Sequence, residues 1–396
     1  MSSTDRSLLL YCQHSLGLGH LVRSFALAEA LAERYEVTML SGGVIPPWLD
    51  APAGVEVVAL PPLGADADGQ LVSRDPLLAI GEVMDRRKRL VIETFHACDP
   101  EVLLVELFPF GRKKFAGELL PLLRAAHARP ESPLVACSLR DILVGSRRDQ
   151  ARHDERASRL ANRYFDAVLV HSDPRLARLE ESFRPRTPMR VPVRYTGFVL
   201  SRRPPASGMD RSVRPVVVSA GGGLVGARLF HAAVEAHRRV WEAMRTPMTI
   251  VAGPFLPEPD WRSLQRETRR LEGIELVRSV PNLGERLASA SASVSQCGYN
   301  TALDLLDAKV PALVVPFAEG REDEQLRRAR MLERLGAVRV LDPAELDGPG
   351  LAAALAGLRR FRPSTVNLDT EGASATVAIL DELAGVHALA AMRGAA

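Results

Sequence analysis

At 396 residues the chain is long enough for two or more domains with full cores. Hydrophobic residues make up 46% and charged residues 25%, the balance of an ordinary soluble globular protein rather than a disordered one. A formal net charge of +3 is small for this length and leaves no argument for nucleic acid as a partner.

Short apolar runs alternate with helical patterns. Strand candidates in the first half fall at 8–12, 37–40, 55–60, 102–105, 134–138, 167–170 and 193–196. Between the first two, Leu21, Phe25, Ala28, Leu31 and Ala32 recur at helical spacing, with Arg23, Glu29 and Glu33 off that face. The theme repeats at 216–219, 248–252, 275–277, 292–295, 312–315 and 338–341. Apolar runs without polar alternation suit parallel strands covered on both faces. Strand–helix alternation of this kind predicts α/β doubly wound sheets. Ser201-Arg202-Arg203-Pro204-Pro205-Ala206-Ser207-Gly208 has linker composition. The expected organisation is a first domain over 1–200, a linker over 201–214, a second domain over 215–371 and an Ala/Leu-rich helix over 372–396.

The first constellation is Ser15-Leu16-Gly17-Leu18-Gly19-His20, directly after the first strand. Gly17 and Gly19 permit a tight turn and close ligand approach. Val22 stands where a dinucleotide motif needs its third glycine, and no acid follows where a ribose would need one, so NAD is not expected. His20 opens a helix, where a group of near-neutral pKa can take a proton; it could also merely cap or pack. The polar stretch 64–75 reads as a mobile loop. Its Asp66-Ala67-Asp68 is not expected to bind metal.

Glu106 emerges at the carboxyl end of the 102–105 strand, ahead of Arg112, Lys113 and Lys114. Cations near a helix start oppose its dipole, so an anion could reconcile them. A solvated basic turn is the plainer alternative, and contact with a membrane surface is a further one. Arg140 and Asp141 end the next strand and are candidates for the same cleft or for an internal ion pair.

In the second half, Gly221-Gly222-Gly223 follows a strand. Three consecutive glycines cost conformational entropy unless the backbone is needed, and a phosphate-cradling loop needs it. Further on, Ser295-Gln296-Cys297-Gly298-Tyr299-Asn300-Thr301-Ala302-Leu303-Asp304 reads as strand, glycine turn and helix start. A helix N-terminus has unpaired N–H groups and partial positive charge, which favour a diphosphate. Gly298 would let that backbone approach closely, Asn300 and Thr301 add donors, and Asp304 could accept from ribose hydroxyls.

Cys12, Cys98, Cys137 and Cys297 are widely spaced, with no CxxC and no zinc-like Cys/His cluster, so free thiols in a reducing cytosol and no metal site are expected. Leu8–Cys12 is too short for a signal peptide and follows acidic Asp5. No apolar run reaches the roughly 18 residues of a transmembrane helix.

The 298–304 segment resembles the donor-binding region of two-Rossmann-domain (GT-B) glycosyltransferases. The pattern is similar to the lipid II N-acetylglucosaminyltransferase family and its predicted relatives. Those enzymes carry a Gly-x-x-Thr-x-x-acid turn, a strand ending in Pro and a Gln-containing helix. Here these are Gly298, Thr301 and Asp304, then Pro316, then Glu324 and Gln325. The resemblance implies two Rossmann-like domains facing a central cleft, with the C-terminal helix packing back onto the first. It places Gly222, Gly223, Gly298, Asn300, Thr301, Asp304, Glu324 and Gln325 on a UDP-sugar donor. It makes His20 the general base, with Glu106 second, and turns Gly17, Gly19, Arg112, Arg140 and Asp141 toward an acceptor or phosphate cleft. The implied activity is inverting sugar transfer without metal or cofactor, in the cytoplasm. The acceptor could be a small molecule, glycan, peptide or lipid-linked compound. A nucleotide-sugar hydrolase, a 2-epimerase and a non-catalytic sugar-nucleotide-binding subunit are the alternatives.

Overall fold

A computed structural model describes residues 6–394 apart from 15–17, 48, 66–69, 76, 146–147, 201–213 and 318–322. The expected linker therefore lies almost wholly outside the described residues, as do Gly17 and Asp66-Ala67-Asp68.

The first half runs β1 (Ser7–Cys12), α1 (Gly19–Leu31), β2 (Glu36–Ser41), β3 (Val55–Ala59), β4 (Leu63–Ala65), β5 (Leu71–Ser73), α2 (Ile80–Cys98), β6 (Val102–Glu106), α3 (Ala116–Ala128), β7 (Leu134–Arg140), α4 (Gln150–Tyr164), β8 (Ala167–His171), α5 (Leu179–Ser182) and β9 (Val193–Tyr195). The second runs β10 (Val216–Ser219), α6 (Ala227–Met244), β11 (Met248–Val251), α7 (Glu258–Thr268), β12 (Ile274–Val277), α8 (Leu283–Ala288), β13 (Ala292–Ser295), α9 (Tyr299–Ala308), β14 (Ala312–Val314), α10 (Glu324–Arg334), β15 (Arg339–Val340), α11 (Gly348–Leu358) and α12 (Gly372–Gly394).

Seven parallel strands in the order β3-β2-β1-β6-β7-β8-β9 form the first sheet, and six in the order β12-β11-β10-β13-β14-β15 form the second. The unbroken apolar runs have a direct cause. Leu8 and Leu10 enter the core on one face of the first sheet, and Leu9 and Tyr11 enter the core on the other. Both faces are covered, so no position along the strand is left for a polar side chain. The stretch read as a loop at 64–75 instead contains an antiparallel hairpin, β4 with β5, paired from Leu63↔Ser73 to Ala65↔Leu71.

In each sheet the strand order reverses beside the first strand, between β1 and β6 and between β10 and β13. Open α/β sheets bind ligands at the carboxyl ends of their strands at such a switch point. His20 and Glu106 flank the first switch point; Gly222 and Gly298 flank the second.

The last helix belongs in space to the first domain. Leu380 and Ala384 of α12 are buried in the cluster holding Leu21, Phe25 and Ala28 of α1. Asp381 accepts from Arg6 Nη1 at 2.9 Å and from the Tyr35 hydroxyl at 2.6 Å. Gly372 opens this helix where a Cβ would lie 2.5 Å from the Gly197 carbonyl oxygen. Among the described residues, no helix is long and apolar enough to cross a membrane.

Candidate active site

His20 is the second residue of α1, and its Nδ1 lies 2.6 Å from Glu106 Oε1 at the end of β6. A carboxylate only accepts, so the hydrogen sits on Nδ1 and Nε2 keeps its lone pair. Arg23, one turn along α1, donates Nη2 to the same Glu106 oxygen at 2.7 Å. Arg112 brings Nη2 to 3.5 Å from Glu106 Oε2. Its backbone is left-handed, with φ 57°. That distance is an ion pair but not a hydrogen bond, and Glu106 Oε2 and Arg112 Nε and Nη2 are buried without hydrogen-bond partners.

Two guanidiniums thus share one carboxylate, and the cluster carries an excess positive charge. Burial lowers the His20 pKa most; Glu106 pulls it back up, Arg112 and Arg23 add to the lowering, and burial prevails, taking it to about 3. Burial alone would raise Glu106, but His20, Arg112 and Arg23 hold its carboxyl well below the usual range. The His20 ring keeps 20% of its side chain exposed while Glu106 has none. Water therefore reaches His20, a neutral imidazole with a free Nε2, and does not reach Glu106. Sequence reading gave Glu106 as the second candidate base; in the structure it accepts from His20 Nδ1 and fixes the orientation of that ring.

A buried network supports this edge of the sheet. Arg87 of α2, fully buried, donates Nε and Nη2 to Glu118 of α3 at 2.9 and 2.7 Å. It also reaches Gln13 Oε1 at 2.5 Å and the carbonyls of Gly42 and Pro61 at 3.1 and 2.9 Å. The Tyr11 hydroxyl completes it by donating to Glu118. One guanidinium thereby ties together the chain ends that leave β1, β2 and β3. Gly43 fits because its Cβ position lies 1.8 Å from the His14 carbonyl oxygen.

In the second domain, Gly223 has φ 89° and a Cβ there would meet the Ala252 carbonyl oxygen at 2.1 Å. This glycine is required by the packing of the β10 exit on the β11 exit. Its neighbour Gly222 accepts at its carbonyl from Phe255 N at 2.9 Å. Gly298 differs. It caps α9 with φ −64°, a conformation open to any residue, and a Cβ would meet nothing within 4 Å. Neither backbone nor packing demands glycine, and the space above it is open. Asn300 reaches the other domain, donating Nδ2 to the Gly19 carbonyl at 3.4 Å. Thr301 is buried, at 7% exposure. Asp304 faces the start of α8, where a Cβ on Gly284 would lie 3.5 Å from its Oδ1.

The remaining candidates are engaged elsewhere. Asp141 accepts from Arg328 Nε and Nη2 of α10, both at 2.8 Å, and Arg328 Nη1 donates to the Cys297 carbonyl at 2.8 Å. Arg140 donates to Glu324 at 3.0 Å. Arg140 and Asp141, assigned by sequence to a ligand cleft or an internal ion pair, are interdomain ion pairs. Glu324, assigned to the donor, is the partner of Arg140. Gln325 spends its Oε1 on Cys297 N and Phe317 N, at 3.0 and 3.1 Å, pinning the loops after β13 and β14. Among the described residues, no group of three or more His, Cys, Asp or Glu side chains is placed to hold a metal ion.

Sequence reading did not single out Arg23, Arg87, Tyr299 or Arg328. Arg23 alone had a usable signal, lying three residues after His20 and so on the same side of one helix.

Residues 217–381 match the model of the glycosyltransferase family 28 C-terminal domain. That match covers most of the second domain and less than half of the chain. The family 28 match begins in β10, contains both glycine loops and runs into α12. A curated UDP-N-acetylglucosamine--N-acetylmuramyl-(pentapeptide) pyrophosphoryl-undecaprenol N-acetylglucosamine transferase from Nitrosospira multiformis is 31% identical over 161 residues. That is 40% of this chain and 43% of the relative, so the similarity spans less than half of either protein. Solved structures match over nearly the whole chain. MurG of Acinetobacter baumannii superposes with a TM-score of 0.54 at 13% identity, over 96% of this chain and 99% of that one. A candidate UDP-N-acetylglucosamine 2-epimerase from Listeria monocytogenes reaches 0.59 at 13% identity, over 94% of each chain. These likenesses establish the GT-B fold around the family 28 domain. A fold shared by a transferase and an epimerase does not choose between their reactions.

Proposed function

We propose that this protein is a glycosyltransferase moving a sugar from a nucleotide-diphosphate sugar, a UDP-sugar, to an acceptor hydroxyl with inversion. The observation that carries the reading is the His20–Glu106 pair set opposite a family 28 donor loop. Asn300 of that loop touches Gly19, the residue before His20, at 3.4 Å. The base and the leaving group therefore belong to opposite walls of one cleft.

In this reading the donor diphosphate lies over Gly298 at the N-terminus of α9, where backbone N–H groups and the helix dipole stabilise the departing charge. Such a site needs no divalent ion. The acceptor O–H bond breaks as its proton passes to His20 Nε2, and the freed oxygen pair forms the new bond to the anomeric carbon. The bond from that carbon to the diphosphate breaks, and its electron pair leaves on UDP. Attack from the face opposite the leaving group inverts the centre. Glu106 holds the Nδ1 hydrogen and stabilises the imidazolium that forms. A hydrolase would use the same base on water. A lipid-linked or small-molecule acceptor fits the chemistry of the relatives.

Turnover of UDP-N-acetylglucosamine, read as UDP release with candidate acceptors, tests the reading beside UDP affinity. A placed general base contributes about 10²–10⁴-fold, so His20→Ala should lose that factor in kcat with UDP affinity nearly intact. Wild-type turnover by a folded His20→Ala variant would remove the base. UDP release independent of every acceptor would favour the hydrolase.

A further inference from the structure

The second domain holds a cavity of about 570 Å³ where β10 and β13 begin, at the opposite ends of those strands from Gly222 and Gly298. Its aliphatic lining includes Val216 of β10, Val240 of α6, and Leu355 and Leu358 of α11. All four are buried and belong to the core of the domain. Its cationic lining is Arg214, Lys309, Arg359 and Arg362, each of them exposed. Among the described residues, no Asp, Glu, Asn or Gln and no aromatic side chain lines it. Part of the charge has a structural cause. Three helices end here: α6 stops two residues before Thr246 of the lining, α9 is capped by Lys309 and α11 by Arg359. A helix C-terminus carries about half a negative charge, so three of them account for about one and a half cations, fewer than are present. Arg214 donates Nη2 to the Ala290 carbonyl at 3.1 Å, and Arg362 donates Nη1 to the carbonyls of Arg359 and Phe361 at 2.9 and 3.1 Å. A guanidinium has five N–H donors, so both keep donors for a ligand. Ser291, in the same lining, has a buried hydroxyl oxygen without a hydrogen-bond partner.

We propose that this cavity binds a single-chain alkyl anion taken from water, its hydrocarbon tail against the aliphatic lining and its oxyanion head, a carboxylate or phosphate, on the arginines. The lining selects this class. A sugar needs acceptor side chains for its hydroxyls, and the lining has no carboxylate or amide. A nucleobase or other aromatic ring is held by stacking and by polar groups that fix its orientation, and no aromatic side chain lines the cavity. A small inorganic anion would leave the aliphatic lining facing water. An alkyl tail removes that surface from water, and each methylene so buried is worth about fourfold in affinity. A guanidinium meets an oxyanion with two parallel N–H groups, which places the head at the rim. The volume falls within the roughly 300–1,000 Å³ of small-molecule sites. None of these residues belongs to the His20–Glu106 pair or to the donor loops, so the site is separate from the proposed reaction.

The test is isothermal titration calorimetry of the full chain with octanoate, decanoate and dodecanoate, each kept below the concentration at which it forms micelles. It uses neither UDP nor an acceptor, so it stands whatever the fate of the proposed reaction. One site should appear, with affinity rising by up to roughly fifteenfold for each added pair of methylenes. The uncharged 1-decanol should bind about tenfold or more weakly than decanoate, because it forfeits the charge-assisted hydrogen bonds of the head. The double variant Arg359→Glu with Arg362→Glu should weaken decanoate by a similar factor. Both positions are exposed, and circular dichroism with a urea midpoint checks that the variant is folded. Arg214→Gln with Arg362→Gln replaces it if it is not. No heat with dodecanoate at millimolar concentration overturns the proposal, as does an affinity independent of chain length or one unchanged in a folded double variant. Sedimentation with phosphatidylglycerol vesicles that is lost in the double variant, without binding of monomeric dodecanoate, would make this face a bilayer contact and overturn the proposal as well.

Discussion

Replacing Arg328 by leucine tests what holds the two domains together. Arg328 and Asp141 expose 3% and 1% of their side chains, and two hydrogen bonds of 2.8 Å join them. Burial would raise the Asp141 pKa, but Arg328 overrides it and holds the carboxyl below its usual value. Arg328→Leu leaves that carboxylate buried without its countercharge and frees the Cys297 carbonyl. Breaking a buried pair by removing one partner costs about 3–5 kcal/mol. Two routes limit the loss: Asp141 binds a proton, or the domains part and water reaches it. Urea unfolding at pH 7, followed by tryptophan fluorescence and by circular dichroism, distinguishes them. A protonated Asp141 lowers one cooperative transition by about 3–5 kcal/mol. Parting of the domains splits the curve into two transitions, each with a smaller dependence on urea because each exposes less surface. The double variant Asp141→Leu with Arg328→Met removes the charge with its partner and should recover most of the loss. A single transition within about 1 kcal/mol of wild type for Arg328→Leu would refute the reasoning, since an exposed pair is worth no more than that.

Burial lowers the pKa of His14 to about 4 and of His20 and His171 to about 3. Each binds a proton in the unfolded chain near pH 6.5 but not in the folded one, so the stability they contribute is complete above that pH and lost as pH falls below it. Three such groups give a slope of up to about 4 kcal/mol per pH unit, so the urea midpoint should be flat from pH 7 to 8 and fall steeply from 6.5 to 5. A midpoint constant across that range would contradict the buried neutral state. UDP at 100 times its dissociation constant should stabilise by about 2.7 kcal/mol in a thermal-shift assay without added metal, and a shift seen only with magnesium or manganese would overturn the backbone-amide site. Asp304→Ala should cost about 1.5–3 kcal/mol of donor affinity, roughly tenfold to a hundredfold by calorimetry, and an unchanged dissociation constant in a folded variant would take Asp304 out of the ribose contact.

The strands were legible because their cause is local. A parallel strand covered on both faces must be apolar throughout, and Leu8–Cys12 or Val102–Val105 leave little else to read. Gly298 was legible for a related reason: a glycine between a strand and a helix start invites the question of what the missing side chain makes room for. The hairpin of β4 and β5 was not, since strands of three residues, Leu63–Ala65 and Leu71–Ser73, are too short to show a periodicity. Arg87 was hidden in Arg86-Arg87-Lys88-Arg89, a run whose natural reading is a solvated face. It is buried because Glu118, Gln13 and two carbonyls converge on it from separate elements. Asp141 and Arg328 are 187 residues apart and meet only after both sheets have formed. Nothing in Ser138-Leu139-Arg140-Asp141 states whether its charges face a ligand or another domain.

The chemistry of that seam bears on how the cleft works. Asp141–Arg328 and Arg140–Glu324 bridge the domains with charge, Asp323 Oδ1 accepts from Gly145 N at 3.2 Å, and Tyr299 adds a hydroxyl bonded to the first-domain backbone. An apolar seam of the same area would hold tighter, because buried ion pairs recover little more than their own desolvation. What charge offers instead is reversibility. An opened apolar seam exposes surface that water disfavours, whereas parted carboxylates and guanidiniums regain full hydration, so the closed and open states stay close in free energy. In the proposed function, a donor entering over Gly298, while Asn300 of the same loop lies against Gly19, requires the cleft to open in each cycle. With the states nearly balanced, a modest binding energy at the donor loop is enough to decide closure.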